Sequence, residues 1–428
     1  MANDRVYIID GARSPFLRAR NAPGPFPAAE LAVQAGRQLL LRQAFPPEAI
    51  DEVIVGCAAP APEETNIGRL VALRLGCGDH VPGWTVQRNC ASGMQALHSA
   101  ARSLQTGASQ LVLAGGVDAL SRTPVQFSDA AVRWLAQLRS ARSLPARLKV
   151  LSGFRPGMLR PEPALLKGLT DPVAGLSMGQ TAEVLATRFD IVREAMDAYA
   201  LRSHQRASEA LSEGAFDEIV PIIDSNGKVY SHDDGIRTDT GMAALAGLKP
   251  VFDRPFGRIT AGNSSQVTDG AALLLLASGA AVERWQLQPL GELVDTEWAG
   301  LDPSVMGLGP VHASTQLLRR LGLSLSDVEL WELNEAFAAQ VLACLAALNS
   351  AEWCKQHLGF IPRGRLTADD LNIHGGAIAI GHPVGATGAR LVLHLLHALR
   401  RSGKTLGMAT LCIGGGQGGA MLVRAEAP

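Results

Sequence analysis

Short apolar runs alternate with longer stretches of helical period along most of this chain. "RVYIID", "DEVIVGC", "GWTVQR" and "QLVLAGG" have the length and residue types of strands. Between them the spacing of apolar positions predicts helices near 28–43, 66–75 and 92–105. In the last, Met94, Leu97, Ala101 and Leu104 fall on one face. The rhythm returns late in the chain. "VELWELN" is followed by a helix over 335–348, "LNIHGG" reads as a further strand, a helix covers 387–402, and "LGMATLCIGGGQGGAMLV" closes the series. Such alternation predicts the α/β class, a sheet with helices on its faces. "GAALLLLASGAAV" is interrupted by glycine and serine and falls short of the roughly 18 apolar residues of a membrane span. It reads as a buried strand.

The two halves align with each other. "IDEVIVGC" matches "LSDVELWELN", and "LVLAGGVDAL" matches "MATLCIGGG". The turn and helix after Cys90 match "GHPVGATGARLVLHLLHAL". A duplicated α/β unit accounts for this. The expected organisation is an N-terminal half over 1–123 completed by 259–280, a loop domain over 124–258, and a C-terminal half over 281–428.

Composition narrows the function. The chain has 428 residues, 47% of them hydrophobic and 18% charged, with a net charge of −1. That suits a soluble enzyme of two or three domains and supplies no global attraction to nucleic acid or membrane. Cys57, Cys77, Cys90, Cys344, Cys354 and Cys412 show neither metal-ligand spacing nor a disulfide framework, so no metal is expected and a reducing, cytoplasmic setting is. His394 and His397 share a helix face without a third ligand. The opening "MANDRVYIIDGARSPF" reads directly as strand and turn, with no signal or transit segment. One local imbalance stands out. From Arg122 to Lys167 there are nine Lys/Arg against Asp129 and Glu162. "VRWLAQLRSARSL" there reads as a basic amphipathic helix, either an ordinary solvated one or a docking surface for an acidic partner or anionic lipid.

Candidate chemistry concentrates at "QRNCASGMQALHSA". Cys90 lies between a strand and a helix, where free backbone N–H groups and the helix dipole stabilise a thiolate. A nucleophile needs a base. His382 in "GGAIAIGHPVGATGAR" opens a helix in the second half much as Cys90 does in the first. A pseudo-twofold packing would bring the two helix starts face to face. "TLCIGGGQGGA" supplies Cys412 and then Gly414, Gly415 and Gly416, a backbone suited to presenting N–H donors to an oxyanion. "WELNEAFAAQ" places Asn334 and Glu335 between a strand and a helix.

In this order "NCASG", "NEAFA", "GGAIAIGHPVGATGAR" and "CIGGGQGG" resemble the four signature blocks of the thiolases. "IIDGARSPF", "MGQTAE" and "TAGNSSQVTDGAA" also match, so the resemblance spans nearly the whole chain. It implies the thiolase fold, two duplicated α/β halves in a five-layer αβαβα sandwich with an inserted loop domain. It also implies an acyltransferase acting on acyl-CoA and CoA, with no bound prosthetic group. By resemblance Cys90 is the nucleophile, His382 its base and Cys412 the acid/base at the substrate carbon. Asn334 would hold a water, and the N–H groups of Cys90 and Gly414 would form an oxyanion hole. For CoA, the resemblance implies Arg237 near the nucleotide and Met178, Phe252, Ala261 and Ser265 along the pantetheine, with Ala336 and Phe337 at the inner end. Ser265 has a second reading, as the cap of a following helix. Ala244 stands where the family has a serine near Arg237.

The basic segment and "SAEWCKQHLGFIPRGRLT" resemble thiolase subunits of fatty-acid oxidation complexes, although such subunits often carry histidine where this chain has Asn334. A homodimer or dimer-based tetramer, a hydratase–dehydrogenase partner or an anionic membrane surface are the implied associations. A biosynthetic acetoacetyl-CoA thiolase and an inactive scaffolding subunit remain the alternatives. Ketosynthase-like condensing enzymes share the fold, but they lack the second thiol that Cys412 provides.

Overall fold

The computed structural model describes residues 5–20 and 22–426. The main sheet contains β1 (Val6–Arg13), β2 (Glu52–Gly56), β3 (Gly83–Val86), β4 (Leu111–Ala119) and β5 (Thr268–Ser278) in its first part. It continues with β6 (Gly291–Gly300), β7 (Leu330–Leu333), β8 (Leu406–Ile413) and β9 (Gln417–Ala425). A two-residue strand, Leu17–Arg18, adds to β5. Strand order is β7-β8-β9-β6-β1-β5-β4-β2-β3. The seam is β1–β6, where only Val6–Ile8 pair with Gly291–Leu293.

On each side of the seam the pairing repeats. β1–β5 and β5–β4 are antiparallel, then β4–β2 and β2–β3 parallel. Likewise β6–β9 and β9–β8 are antiparallel and β8–β7 parallel. The last step of the second half is a single parallel bridge between Trp331 and Leu371. "LNIHGG" is therefore a turn, not the expected strand. Asn372 and Gly375 take φ of 49° and 75°. The Asn372 amide bonds both the N–H and the C=O of Leu333 at 2.9 Å, doing with a side chain what a paired strand does with its backbone.

The labelled helices are α1 (Ala28–Leu41), α2 (Ile67–Arg74), α3 (Ser92–Gln105), α4 (Asp129–Ser140) and α5 (Leu144–Ser152), followed by α6 (Met178–Arg188), α7 (Arg193–Ser212), α8 (Gly309–Leu321), α9 (Ala338–Leu348) and α10 (Val384–Ser402). α1 and α2 bury Leu31, Leu39 and Val71 against Leu273 and Leu275 on the outer face of the first half. α8 and α9 bury Leu317 and Val341 against Met408 and Leu422 on the outer face of the second. α3 and α10 share the middle cluster, where Leu97 and Leu395 meet Leu274 and Leu411. The result is five layers, αβαβα. Successive residues of β5 enter the outer and the middle clusters in turn, which explains its uninterrupted apolar string.

Two boundaries differ from expectation. The helix predicted from residue 335 begins at Ala338. Asn334–Phe337 stays extended because Ser265 N–H donates to Ala336 O, Ala338 N–H donates to Asn263 O, and Ser264 bridges Phe337. No helix follows Ser265, so its capping role disappears. The region expected as a loop domain over 124–258 divides: residues 123–170 form a compact unit of their own, and 171–258 belong with the sandwich. Within 123–170 the expected basic helix is two, α4 and α5, broken where Ala141 turns extended. Trp134 joins them, its Nε1–H donating to Val150 O at 2.9 Å.

Candidate active site

Cys90 stands two residues before α3. Asn89 adopts a left-handed φ of 45°, and Ser92 Oγ ties the turn by accepting from Arg88 N–H and donating to Asn89 O. Asn89 Nδ2 then reaches into the other half and donates to Gly414 O at 2.8 Å. Gly414 opens the β8–β9 turn, which needs positive φ at Gly415 and Gly416. The N–H groups of Gly414 and of Cys90 itself lie close enough to the Cys90 sulfur to favour its charged form. These are the two N–H groups expected to form an oxyanion hole.

The strand-to-helix position favours the thiolate, but desolvation by burial outweighs it and raises the Cys90 thiol above its ordinary value. The Gly414 and Cys90 N–H groups only oppose that rise. Cys412, near the end of β8, is fully buried. Burial first, then the neighbouring Cys90, holds its thiol well above the usual range. Both sulfurs are protonated in the resting site.

His382 stands two residues before α10 and is buried. Its Nδ1 lies 2.6 Å from Thr387 Oγ1, whose hydroxyl donates to Pro383 O at 2.9 Å. A hydroxyl has one proton, so Thr387 accepts from His382 Nδ1–H and leaves Nε2 as a free acceptor. Burial, then the Arg390 cation, lowers the imidazole pKa to about 3. It is neutral and ready to take a proton. The two helix starts meet through glycine: a Cβ on Gly93 would lie 2.7 Å from Gly385 O, and one on Gly388 2.6 Å from Met94 N.

Asn334 follows β7 and anchors its N–H on Thr410 O, two residues before Cys412. Its side-chain amide is buried, and neither Oδ1 nor Nδ2 has a protein partner among the described residues. Glu335 turns away and accepts from Tyr199, Ser203, Asn372 and the Ile378 N–H, fixing the segment that leads to His382.

The residues expected at CoA fall into one connected group and two outliers. A Cβ on Gly414 would contact Met178 Sδ at 3.3 Å, and Gly179 abuts the Phe252 ring. Phe252 meets Phe337 edge-on at 5.9 Å. Ser265 is bonded to Ala336, and the next residue, Gln266, accepts the His382 N–H. Ala261 is exposed. Arg237 is exposed too, its backbone N–H donating to His204. Sequence reasoning missed Asn89, Thr387 and Asp118. Each lies within or beside a quoted block; Asn89 and Asp118 depend on partners from the other half of the chain, and Thr387 on the turn that brings its hydroxyl back to His382. Among the described residues no group of three or more His, Cys, Asp or Glu is placed to hold a metal.

Comparison with known proteins agrees with this geometry. The family model "Thiolase, N-terminal domain" matches residues 6–280, and "Thiolase, C-terminal domain" matches 287–425. The chain is 39% identical over 427 residues to a 3-ketoacyl-CoA thiolase of Serratia proteamaculans, covering 99% of this chain and 97% of that protein. It is 38% identical, with the same coverage, to one of Escherichia coli. Among solved structures, the acetyl-CoA acetyltransferase of Bacillus anthracis superposes with a TM-score of 0.85 at 38% identity, covering 99% and 100% of the two chains. Human mitochondrial 3-ketoacyl-CoA thiolase in complex with CoA superposes with a TM-score of 0.85 at 34% identity, covering 100% of each.

Proposed function

Because this chain belongs to the thiolase family, we propose that it cleaves 3-ketoacyl-CoA with free CoA and, in reverse, condenses two acyl-CoA molecules. The interlocked starts of α3 and α10, which carry Cys90 and His382, with Asn89 tying the Cys90 turn to Gly414, support this reading most strongly. His382 Nε2 takes the Cys90 proton as the sulfur attacks the 3-keto carbon. The alkoxide collapses, the C2–C3 bond breaks, and its electron pair leaves as the enolate of acetyl-CoA. Cys412 protonates that carbon. A second CoA enters, gives its thiol proton to the Cys412 thiolate and attacks the acyl-Cys90 thioester. Cys90 leaves as thiolate and recovers its proton from His382. Two moderate barriers replace one high one.

The placement of charge supports these roles. The Cys90 and Gly414 N–H groups face the tetrahedral oxyanion, and removing one such donor typically costs about 3–4 kcal/mol of barrier. The enolate oxygen is assigned to His382 and to a water held by the Asn334 amide. Met178, Phe252, Ser265, Ala336 and Phe337 are proposed to line the pantetheine, with Ala261 and Arg237 toward the nucleotide. We place the enzyme in fatty-acid β-oxidation in the cytoplasm, a reducing setting that suits six unpaired cysteines. No helix of the described residues is long and apolar enough to cross a membrane. Homo-oligomerisation is proposed as well: β3 ends the sheet order with an open edge, and the half-exposed Trp84 lies on it. The assay is loss of the magnesium–enolate absorbance of acetoacetyl-CoA on adding CoA, repeated with longer 3-ketoacyl-CoA substrates. Preference for longer chains marks a β-oxidation enzyme. Restriction to acetoacetyl-CoA overturns that placement in favour of biosynthesis, and inactivity on every substrate overturns the enzymatic reading.

A further inference from the structure

The internal repeat puts a second buried cluster where it mirrors the catalytic one. Cys90 and His382 each precede a middle-layer helix by two residues. The last parallel pair is Gly56–Gly116 in the first half and Leu333–Thr410 in the second. One residue beyond the first member of each pair stand Cys57 and Asn334. Two residues beyond the second stand Asp118 and Cys412, opposite Gly270 and Gly418 on the neighbouring strands. The local twofold therefore exchanges Cys90 with His382, Asn334 with Cys57, and Cys412 with Asp118. Cys412 lies beside the start of α3; Asp118 lies beside the start of α10.

Asp118 is fully buried and its carboxylate accepts four donors. They are Gly385 N–H at 2.5 Å, Ala59 N–H at 2.9 Å, Ala58 N–H at 3.1 Å and Cys57 Sγ at 3.2 Å. Gly385 is the second residue of α10, whose own N-cap, Pro383, supplies no side-chain bond. A helix start leaves N–H groups unsatisfied, and here the other half of the molecule satisfies one. The approach requires glycine: a Cβ at Gly385 would lie 2.9 Å from Asp118 Oδ2.

We propose that Asp118 is a positioning residue for His382, its carboxylate reaching from the first half to hold the first turn of α10 and so fix the imidazole beside Cys90. This rests on the roles given to Cys90 and His382. The charged or titratable groups that interact with Asp118 are Cys57 on the β2 loop, with Glu64 acting on it, and Cys90 ahead of α3. Burial holds the Asp118 carboxyl up at about 6, so it is mostly ionised at neutral pH. Its charge acts on Cys90 and helps keep that thiol protonated.

Asp118→Asn keeps the shape and one acceptor oxygen but removes the charge. In the full-length enzyme kcat should fall about tenfold or more with little change in KM, as expected of a misplaced base. Alkylation of resting Cys90 by iodoacetamide should move to lower pH. The variant would be a slower enzyme with a more acidic nucleophile. Asp118→Glu should return part of the lost rate and keep the wild-type alkylation profile. Wild-type kcat in Asp118→Asn, or lost kcat with an unmoved alkylation profile, would overturn the proposal. If neither variant folds, the wild type decides. Acetylation of Cys90 by acetyl-CoA should lose rate on the acid side through a one-proton step near the carboxyl's value of about 6, and a flat profile there would overturn it. Failure of wild-type Cys90 to take any acetyl group would instead sink the underlying assignment.

Discussion

At the scale of single residues, Cys90, Cys412 and His382 rest neutral beside the charges of Asp118 and Arg390. The raised thiols of Cys90 and Cys412 and the lowered imidazole of His382 share one cause, desolvation in a buried site. The sign of the pH dependence follows. A thiol whose pKa is raised stays protonated to higher pH, so alkylation of resting Cys90 should keep accelerating beyond the value of about 8.5 at which a free cysteine is half ionised. A plateau at or below neutrality would contradict the resting thiol. Cys90→Ser should abolish both turnover and the acetyl adduct that intact-protein mass spectrometry detects after mixing with acetyl-CoA, because the hydroxyl is far less ionised than the thiol. An adduct retained on another cysteine would remove Cys90 from its role. Cys412→Ala separates the two thiols. Cys90 and His382 remain, so the variant should still acquire the acetyl group. It should fail to exchange deuterium at acetyl C2, and wild-type exchange there would deny Cys412 its place.

At the scale of elements, precision comes from how closely α3 and α10 approach. Gly93, Gly116, Gly385 and Gly388 allow backbone to touch backbone, which brings the two helix starts together. Gly388→Ala sets a methyl group against Met94 N and should push the helices apart, with an overpacking cost of about 1–3 kcal/mol. Denaturant unfolding should show that loss, and acetyl-adduct formation should slow further than stability alone explains. Unchanged adduct formation in the destabilised variant would mean that helix spacing does not set the Cys90–His382 geometry. The same scale shows what the sequence made legible. Ser92–Gln105 was readable to the residue because its apolar face has a clear period. Cys90, His382, Cys412 and Gly414 stood out because each follows or precedes a change of period in a glycine-rich block. "LNIHGG" was not readable as a turn, because its strand-like partner is the Asn372 side chain. Asp118 was quoted inside a repeated segment, yet its role needs Gly385 from the opposite half, and no local pattern encodes that contact.

At the scale of the whole molecule, the segment over residues 123–170 has a surface unlike that of an ordinary enzyme domain. Between Arg122 and Lys167 nine Lys/Arg face two acids, in a chain whose net charge is −1. The charge excess was legible; the break into α4 and α5 was not, because the bond that packs the two helices together, Trp134 to Val150, spans 16 residues across the turn. Large apolar side chains are exposed beside those cations, with Leu144 72% and Leu148 58% accessible. A solvated helix pair has no need of both features together. Their combination matches an anionic, partly apolar surface, and we propose that this unit docks on anionic lipid. Each Lys or Arg near such a membrane contributes about 1 kcal/mol, and the attraction decays with salt. Reversing Arg133, Arg139 and Arg142 to Glu should abolish co-sedimentation with phosphatidylserine vesicles at low salt, while thiolysis of acetoacetyl-CoA stays at the wild-type rate. Raising the salt should release the wild type in the same assay. Wild-type protein that ignores the vesicles at low salt, yet retains a hydratase–dehydrogenase subunit in a salt-sensitive pull-down, would move the surface from lipid to protein. Binding to neither would return it to ordinary solvent.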